Sequence, residues 1–314
     1  MTGLIAYLMF FLSITLIYSI VVMGLNLQWG YTGLFNAGVV AFYAVGAYGT
    51  AILMGPDRAH LIGGFGLPFP LALLGGVIAA AIAALLVGLA TLRLRDDYLA
   101  ISTFGIAISV QLVALNFASL TGGPEGLVGL PRPMLRTIGS PVGFNLFYLG
   151  LVAVVAGAVY LALQAALSSP WGRLLKAIRE DETAAGSLGK NAPAVRLTAF
   201  VLGCALMGLA GGLYVGFIGF VSPQDFLPIL TFQIWAMLIV GGSGNTRGAF
   251  VGAFAIWGLW SLSGVAVSRL LPPALQSQGG AIQVMLIGLL IVLTLLFRPR
   301  GLIGERDTVS RHVD

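Results

Sequence analysis

The chain has 314 residues, of which 58% are hydrophobic and only 9% charged, and it carries a net charge of +5. Soluble proteins carry about 25% charged residues, so sixteen basic and eleven acidic side chains are too few to solvate a molecule of this size. A single soluble domain, a disulfide-stapled secreted scaffold and a disordered chain are thereby excluded; an all-α, polytopic transmembrane helix bundle remains.

Charges are expensive in hydrocarbon, and a span needs about 20 apolar residues to cross about 30 Å. Charge-free intervals cover 1–56, 59–92, 98–124, 137–172, 197–224, 226–246, 248–268 and 270–297. The first is long enough for two crossings. The expectation is nine spans (eight to ten) near 4–25, 32–54, 69–92, 98–119, 144–167, 195–220, 228–246, 249–269 and 280–297. A re-entrant segment near 26–36 is the alternative that would change the count. The first span is expected to stay uncleaved, since it shows no basic n-region and no A-x-A site. Residues 1–314 read as one transmembrane domain.

Lys and Arg concentrate in cytoplasmic loops. With the N-terminus outside and the C-terminus cytoplasmic, the inner loops hold Arg93, Arg95, Arg173, Lys176, Arg179, Lys190, Arg196, Arg247, Arg298, Arg300, Arg306 and Arg311. The outer loops then hold only Arg58, Arg132, Arg136 and Arg269. These basic residues form no stripe, so nucleic acid is not an expected partner; the lipid bilayer is.

Several chemistries lack their residues. His60 and His312 fall in loops, and Cys204 stands alone in an apolar run, so no metal site, haem site or disulfide is expected. No catalytic residues and no cofactor are expected. Asp96 and Asp97 sit at an inner span end beside Arg93 and Arg95, and Asp225 falls outside. With no carboxylate at mid-span, a gradient-driven secondary transporter is disfavoured. The run Gly241–Gly248 lacks the lysine of a phosphate-binding loop and reads as a tight glycine turn. ATP hydrolysis, if used, belongs to a partner.

Between spans five and six lies the cytoplasmic segment 168–192. Leu174, Leu175 and Ile178 recur at helical spacing among Arg173, Lys176 and Arg179. Ser169 with Pro170 marks a helix start and Gly189 a stop. Glu180, Asp181 and Glu182 can open a second short helix, with Ala184, Ala185 and Leu188 as its small apolar face. Spacing alone leaves two readings open: an amphipathic linker lying on the bilayer, or a docking element for a cytoplasmic partner.

Several motifs in order then resemble one family. Gly24–Gly38 (GLNLQWGYTGLFNAG) is similar to the GLNL-x-x-GYTG-x-x-x-x-G signature of permeases in branched-chain amino acid ABC importers. Leu92–Ile101 (LRLRDDYLAI), Thr121–Leu127 (TGGPEGL), the segment 172–189 and Phe297–Leu302 (FRPRGL) resemble further runs of that family. The second and third favour the LivM-like subunit over the LivH-like one. The resemblance implies a permease that moves branched-chain amino acids through half of a shared path, in a bacterial inner (cytoplasmic) membrane. Its implied partners are a LivH-like second permease, two ATP-binding cassette subunits and a periplasmic or extracellular solute-binding protein. It also implies that segment 168–192 is the ATPase-coupling loop, through Arg173, Lys176, Arg179, Glu180, Asp181, Glu182, Ala184, Ala185 and Gly189. There Ala184, Ala185 and Gly189 match an A-A-x-x-x-G pattern, Thr183 stands at the position of its acid, and Glu182 falls one residue early.

Asn26, Tyr31, Asn36 and Thr103 lie in or near the family-like stretches and are expected along the substrate path. Glu125, Arg132 and Arg136, in the longest outer loop, are expected to meet the binding protein. Urea or a short amide is the alternative cargo within the same importer class.

Overall fold

A computed structural model describes residues 2–57, 61–94, 96–270 and 278–304. His60, His312, Arg58, Arg95, Arg306 and Arg311 lie outside the described residues, as do the side chains of Asp96, Arg136 and Arg269. Among the described residues the regular structure is helical: α1 (Thr2–Thr32), α2 (Val39–Met54), α3 (Phe69–Thr91), α4 (Asp96–Asn116), the short turns α5 (Ala118–Thr121) and α6 (Leu135–Ile138), α7 (Pro141–Ser168), α8 (Pro170–Glu180), α9 (Glu182–Ser187), α10 (Ala192–Ile218), α11 (Pro228–Gly241), α12 (Thr246–Leu270) and α13 (Gly279–Phe297).

Helix starts follow local chemistry. Proline opens α7, α8 and α11, where a missing N–H costs nothing. Ser140, Ser169, Asp181 and Asn191 accept hydrogen bonds from the first-turn amides of α7, α8, α9 and α10.

Among the described residues, seven helices are long and apolar enough to cross a membrane: α1, α3, α4, α7, α10, α12 and α13. The other two expected spans are shorter. α2 has 16 residues and α11 has 14, which at about 1.5 Å per residue falls short of the hydrocarbon thickness of about 30 Å. Most residues of both are buried within the protein. α1 runs on to Thr32, and α2 starts only at Val39. The break falls inside the long charge-free interval, where spacing of charges carries no information. Gly33, at φ +76°, takes the left-handed conformation that stops α1.

The interior is built from close backbone contacts. On α3 the small residues Ala72, Gly76, Ala80, Ala84 and Gly88 recur every four residues and are buried, while Leu71, Leu74, Ile78, Ile82, Leu86 and Leu89 point outward. That reverses the amphipathic order of a soluble helix. It is what lipid favours, because small residues let helices approach and large apolar ones meet acyl chains. α2 packs between α3 and α10. A Cβ at Gly46 of α2 would overlap the Gly208 backbone of α10. Gly46→Leu is therefore expected to remove most folded protein, costing about 3 kcal/mol or more through overpacking. Monodisperse yield after detergent extraction checks this; a normal yield would show that the helices separate freely.

The bundle has two distinct ends. One gathers Ile52–Asp57, Leu61–Leu67, Ser119–Leu130 and Gly219–Val221, tied by bonds such as Ile62 N–H to Ser119 O and a β-bridge between Leu127 and Val221. The opposite end gathers Gly30, the α8–α9 pair, the start of α10, the Gly242–Asn245 turn and the tail 298–304. Arg93, Arg173, Lys176, Arg179, Lys190, Arg196, Arg247, Arg298 and Arg300 sit at this second end, whereas Arg132 sits at the first. The asymmetry expected from the loops is thus a spatial one.

Candidate functional site

Three places in the fold carry the expected site residues. The first is the α8–α9 pair. Leu175 and Ile178 are buried; Leu175 packs with Leu27, Tyr31 and Ala199, and Ile178 with Ala185 and Ala192. The apolar face of α8 is therefore spent on α1 and α10, which leaves little of it for a bilayer. Two basic residues on α8 grip the end of α1. The Arg179 guanidinium donates to the Gly30 carbonyl, and the Lys176 ammonium lies 5.6 Å from the centre of the Tyr31 ring. Arg173, Glu180, Asp181, Thr183, Ala184 and Leu188 are exposed, Leu188 by 79%. Gly189 takes φ +76° with open space around it, the left-handed stop expected after α9. Glu182 pairs with Arg196 at the start of α10 beside an open cleft of about 980 Å³ that Arg93 and Asp97 also line.

A half-exposed ion pair contributes about 1 kcal/mol or less, with Arg196 the more buried partner, but reversing one partner sets like charges together. Glu182→Arg is expected to lower coupled uptake about threefold, and the swap E182R/R196E to restore most of it. A swap no better than the single change would assign Glu182 to a contact outside this chain.

The second place is the irregular segment between α1 and α2, residues 33–38. Non-helical backbone survives among apolar helices only where its polar groups find partners or line a cavity. Asn36 supplies much of this. Its amide donates to Gln28 Oε1 at 2.9 Å, its Oδ1 accepts from Gly38 N–H at 2.8 Å, and its carbonyl accepts from Trp235 Nε1 at 3.0 Å. Thr103 of α4 accepts from Ala37 N–H at 3.0 Å. Asn26 accepts from Gly244 N–H at 2.8 Å, and Tyr31 approaches the Thr246 hydroxyl at 3.5 Å. The four residues expected along the path are each buried and bonded inside the chain. Asn36 and Thr103 hold the segment, whereas Asn26 and Tyr31 bond the turn between α11 and α12 and the first residue of α12. On the open side of the segment is a cavity of about 490 Å³ lined by Trp29, Phe35, Ala37, Thr231, Phe232 and Trp235 among others. Those aromatic residues were not singled out by sequence reasoning, because in an apolar chain they look like any core residue.

The third place is the opposite end. Glu125 is exposed in the turn after α5. Arg132 donates to the Ile218 carbonyl and lies 5.9 Å from the Phe144 ring centre, so much of its donor capacity is used within the chain. Arg136 falls in α6. Asp225 is only half exposed. It accepts from Ser222 N–H at 2.9 Å, and its neighbour Phe226 packs between Tyr43 and Tyr48 with ring centres 5.6 and 5.7 Å away. Burial pushes the Asp225 carboxyl above its ordinary value, opposed by hydrogen bonds from Ser222 and Tyr214.

Helices long enough to cross a membrane, two short helices inside the bundle and a buried irregular segment define a multi-pass membrane protein built like a permease. The branched-chain amino acid transport system permease component matches residues 7–295, and the chain belongs to that family of ABC permeases. It is 34% identical over 313 residues to the high-affinity branched-chain amino acid permease LivM of Escherichia coli K12, covering 93% of this chain and 68% of that one. It is 25% identical to the probable LivM of Methanocaldococcus jannaschii, over 94% of this chain and 92% of that protein. With LivH of Escherichia coli K12 the identity is 25%, over 92% of each. An autoinducer 2 import permease, LsrC of Yersinia pseudotuberculosis, is 28% identical over 58% of this chain and 53% of its own. No solved structure matches.

Proposed function

We propose that this chain forms half of the translocation path of an ABC importer for branched-chain, hydrophobic amino acids, in a bacterial cytoplasmic membrane. A LivH-like permease supplies the other half, two ATP-binding cassette subunits dock beneath it, and a solute-binding protein delivers cargo from outside. The end rich in Lys and Arg faces the cytoplasm. The observation that carries this reading is the α8–α9 pair. Its apolar side is locked onto α1 and α10, and its charged side is exposed at the basic end. Such an element moves as a body with the helices it grips. Closure of the ATPases on ATP would push 168–192 and rock the bundle between inward- and outward-facing states. Glu125, Arg132 and Arg136 stand at the end where the binding protein would land.

The cargo is the least constrained part, since one relative carries a name for a different solute. Uptake of leucine, isoleucine, valine and urea by cells expressing the whole importer separates the cargo readings. Co-purification from native membranes, with identification of the bound subunits, tests the assembly. Gradient-driven uptake by this chain alone in proteoliposomes, without ATP, would overturn the importer reading.

A further inference from the structure

The cavity beside segment 33–38 has a composition that the helix-packing role of its residues does not account for. Phe35 and Trp235 stack with ring centres 4.4 Å apart, and Trp29 stands edge-on to both at 5.2 and 5.5 Å. This aromatic wall is half open: Phe35 and Ala37 are partly exposed, while Leu34 and Asn36, on the other side of the chain, are buried. Asn36 makes most of the hydrogen bonds that hold the segment, one of them accepted by its carbonyl from Trp235 of the wall. Among the described residues, the Phe35 amide and carbonyl and the Ala37 carbonyl have no partner within the chain. Free backbone groups in an apolar setting are costly unless something polar visits them. Thr231 and Ser243 add hydroxyls to the same lining.

We infer that this cavity is a cargo-selecting site for a small zwitterion with an apolar side chain. The cargo's side chain lies against Trp29, Phe35 and Trp235. Its ammonium or carboxylate is met by the free backbone groups of Phe35 and Ala37, and Arg300 of the tail adds a guanidinium to the same lining. A lipid acyl chain fills such a space but leaves those groups unsatisfied, and a neighbouring helix has no backbone groups to spare. The volume of about 490 Å³ lies within the range of small-ligand pockets, about 300–1,000 Å³. Discontinuous helices with unwound backbone at the cargo are a known solution for such paths. The inference rests on the importer reading and names where in this subunit cargo is chosen.

Thiol labelling tests it in membranes holding the full complex. The chain has one cysteine, Cys204, which is fully buried, so Ser243→Cys introduces a reporter in the lining against a silent background. Leucine at a concentration that saturates uptake is expected to slow maleimide labelling at least about fivefold, and urea not to slow it. Should Ser243→Cys fail to insert, Ile291→Cys on the facing wall serves instead. A second measurement is the ratio of leucine to phenylalanine uptake. Phe35→Ala enlarges the cavity and is expected to shift that ratio toward phenylalanine about fivefold. A merely structural role lowers both together, and that outcome overturns the inference. So does labelling that leucine leaves unchanged, or a cysteine that never reacts because lipid or a neighbouring subunit fills the space. In each of these cases leucine import by the unaltered complex still stands or falls separately, and its absence counts against the importer reading instead.

Discussion

Arg179→Glu is expected to cut coupled uptake by about tenfold or more while leaving the chain inserted in the membrane. The guanidinium is the hydrogen-bonded link between α8 and α1, beside Lys176 over the Tyr31 ring, and donates to the carbonyl of Gly30, 149 residues away in the chain. Hydrogen bonds from charged groups contribute about 1.5–3 kcal/mol, and 1.4 kcal/mol is a factor of ten. A glutamate cannot donate, and it would set a carboxylate against the carbonyl. The apolar contacts of Leu175 and Ile178 survive the change, so α8 stays docked but no longer pulls on the end of α1. ATP hydrolysis by the complex should continue at its basal rate and lose its stimulation by loaded binding protein. Arg179→Lys, which keeps a donor and a charge, should recover part of the uptake. If Arg179→Glu transports normally, force does not pass from α8 to α1 through this bond.

Much of this architecture was legible in the chain because lipid imposes simple rules. Charge-free intervals marked six of the seven long helices within a few residues, α1 running seven residues past its expected end, and the described Lys and Arg residues expected on one side gather at one end of the fold. The α8–α9 pair was legible too, with its start at Ser169–Pro170 and its stop at Gly189, since caps are set by neighbours in sequence. What stayed hidden was decided by residues far apart. The break at 33–38 sits in a stretch that is apolar on both sides, so the expected boundary fell between 25 and 32, with a re-entrant segment near 26–36 as the alternative. The shortness of α11 depends on the turn at Gly242, against which the tail residues Leu302 and Ile303 bond to the last carbonyls of that helix. Asp225 was expected outside the spans, and the turn that carries it folds back against Tyr43 and Tyr48 through Phe226, a contact no local pattern sets. The Glu182–Arg196 pair joins two elements whose angle no local pattern sets.

The same break gives the largest expected loss. Asn36→Leu should abolish uptake and lower the thermal midpoint of the purified complex. The side chain is fully buried and bonds to Gln28 Oε1 and from Gly38 N–H, with a third, longer contact to Cys204 Sγ at 3.8 Å. Leucine has about the right volume and no polar atom, so both partners are left unpaired where no water can replace the asparagine. Each unsatisfied buried group costs about 1–3 kcal/mol, for a loss of about 4 kcal/mol, a large part of the margin of about 5–15 kcal/mol that keeps domains folded. Gln28 also donates to the Phe200 carbonyl of α10 at 2.8 Å, so the damage spreads from the break into the contact between α1 and α10. Asn36→Asp separates geometry from chemistry. Ionised, it keeps the acceptor for Gly38 and loses the donor to Gln28; as the neutral acid its hydroxyl can donate to Gln28, so at a pH where the acid is neutral it should fall between the two. Scanning fluorimetry gives the midpoints and leucine uptake the activity. A stable, active Asn36→Leu importer would mean that segment 33–38 holds its shape without this asparagine, and the cavity beside it would lose the rigid wall on which cargo selection depends.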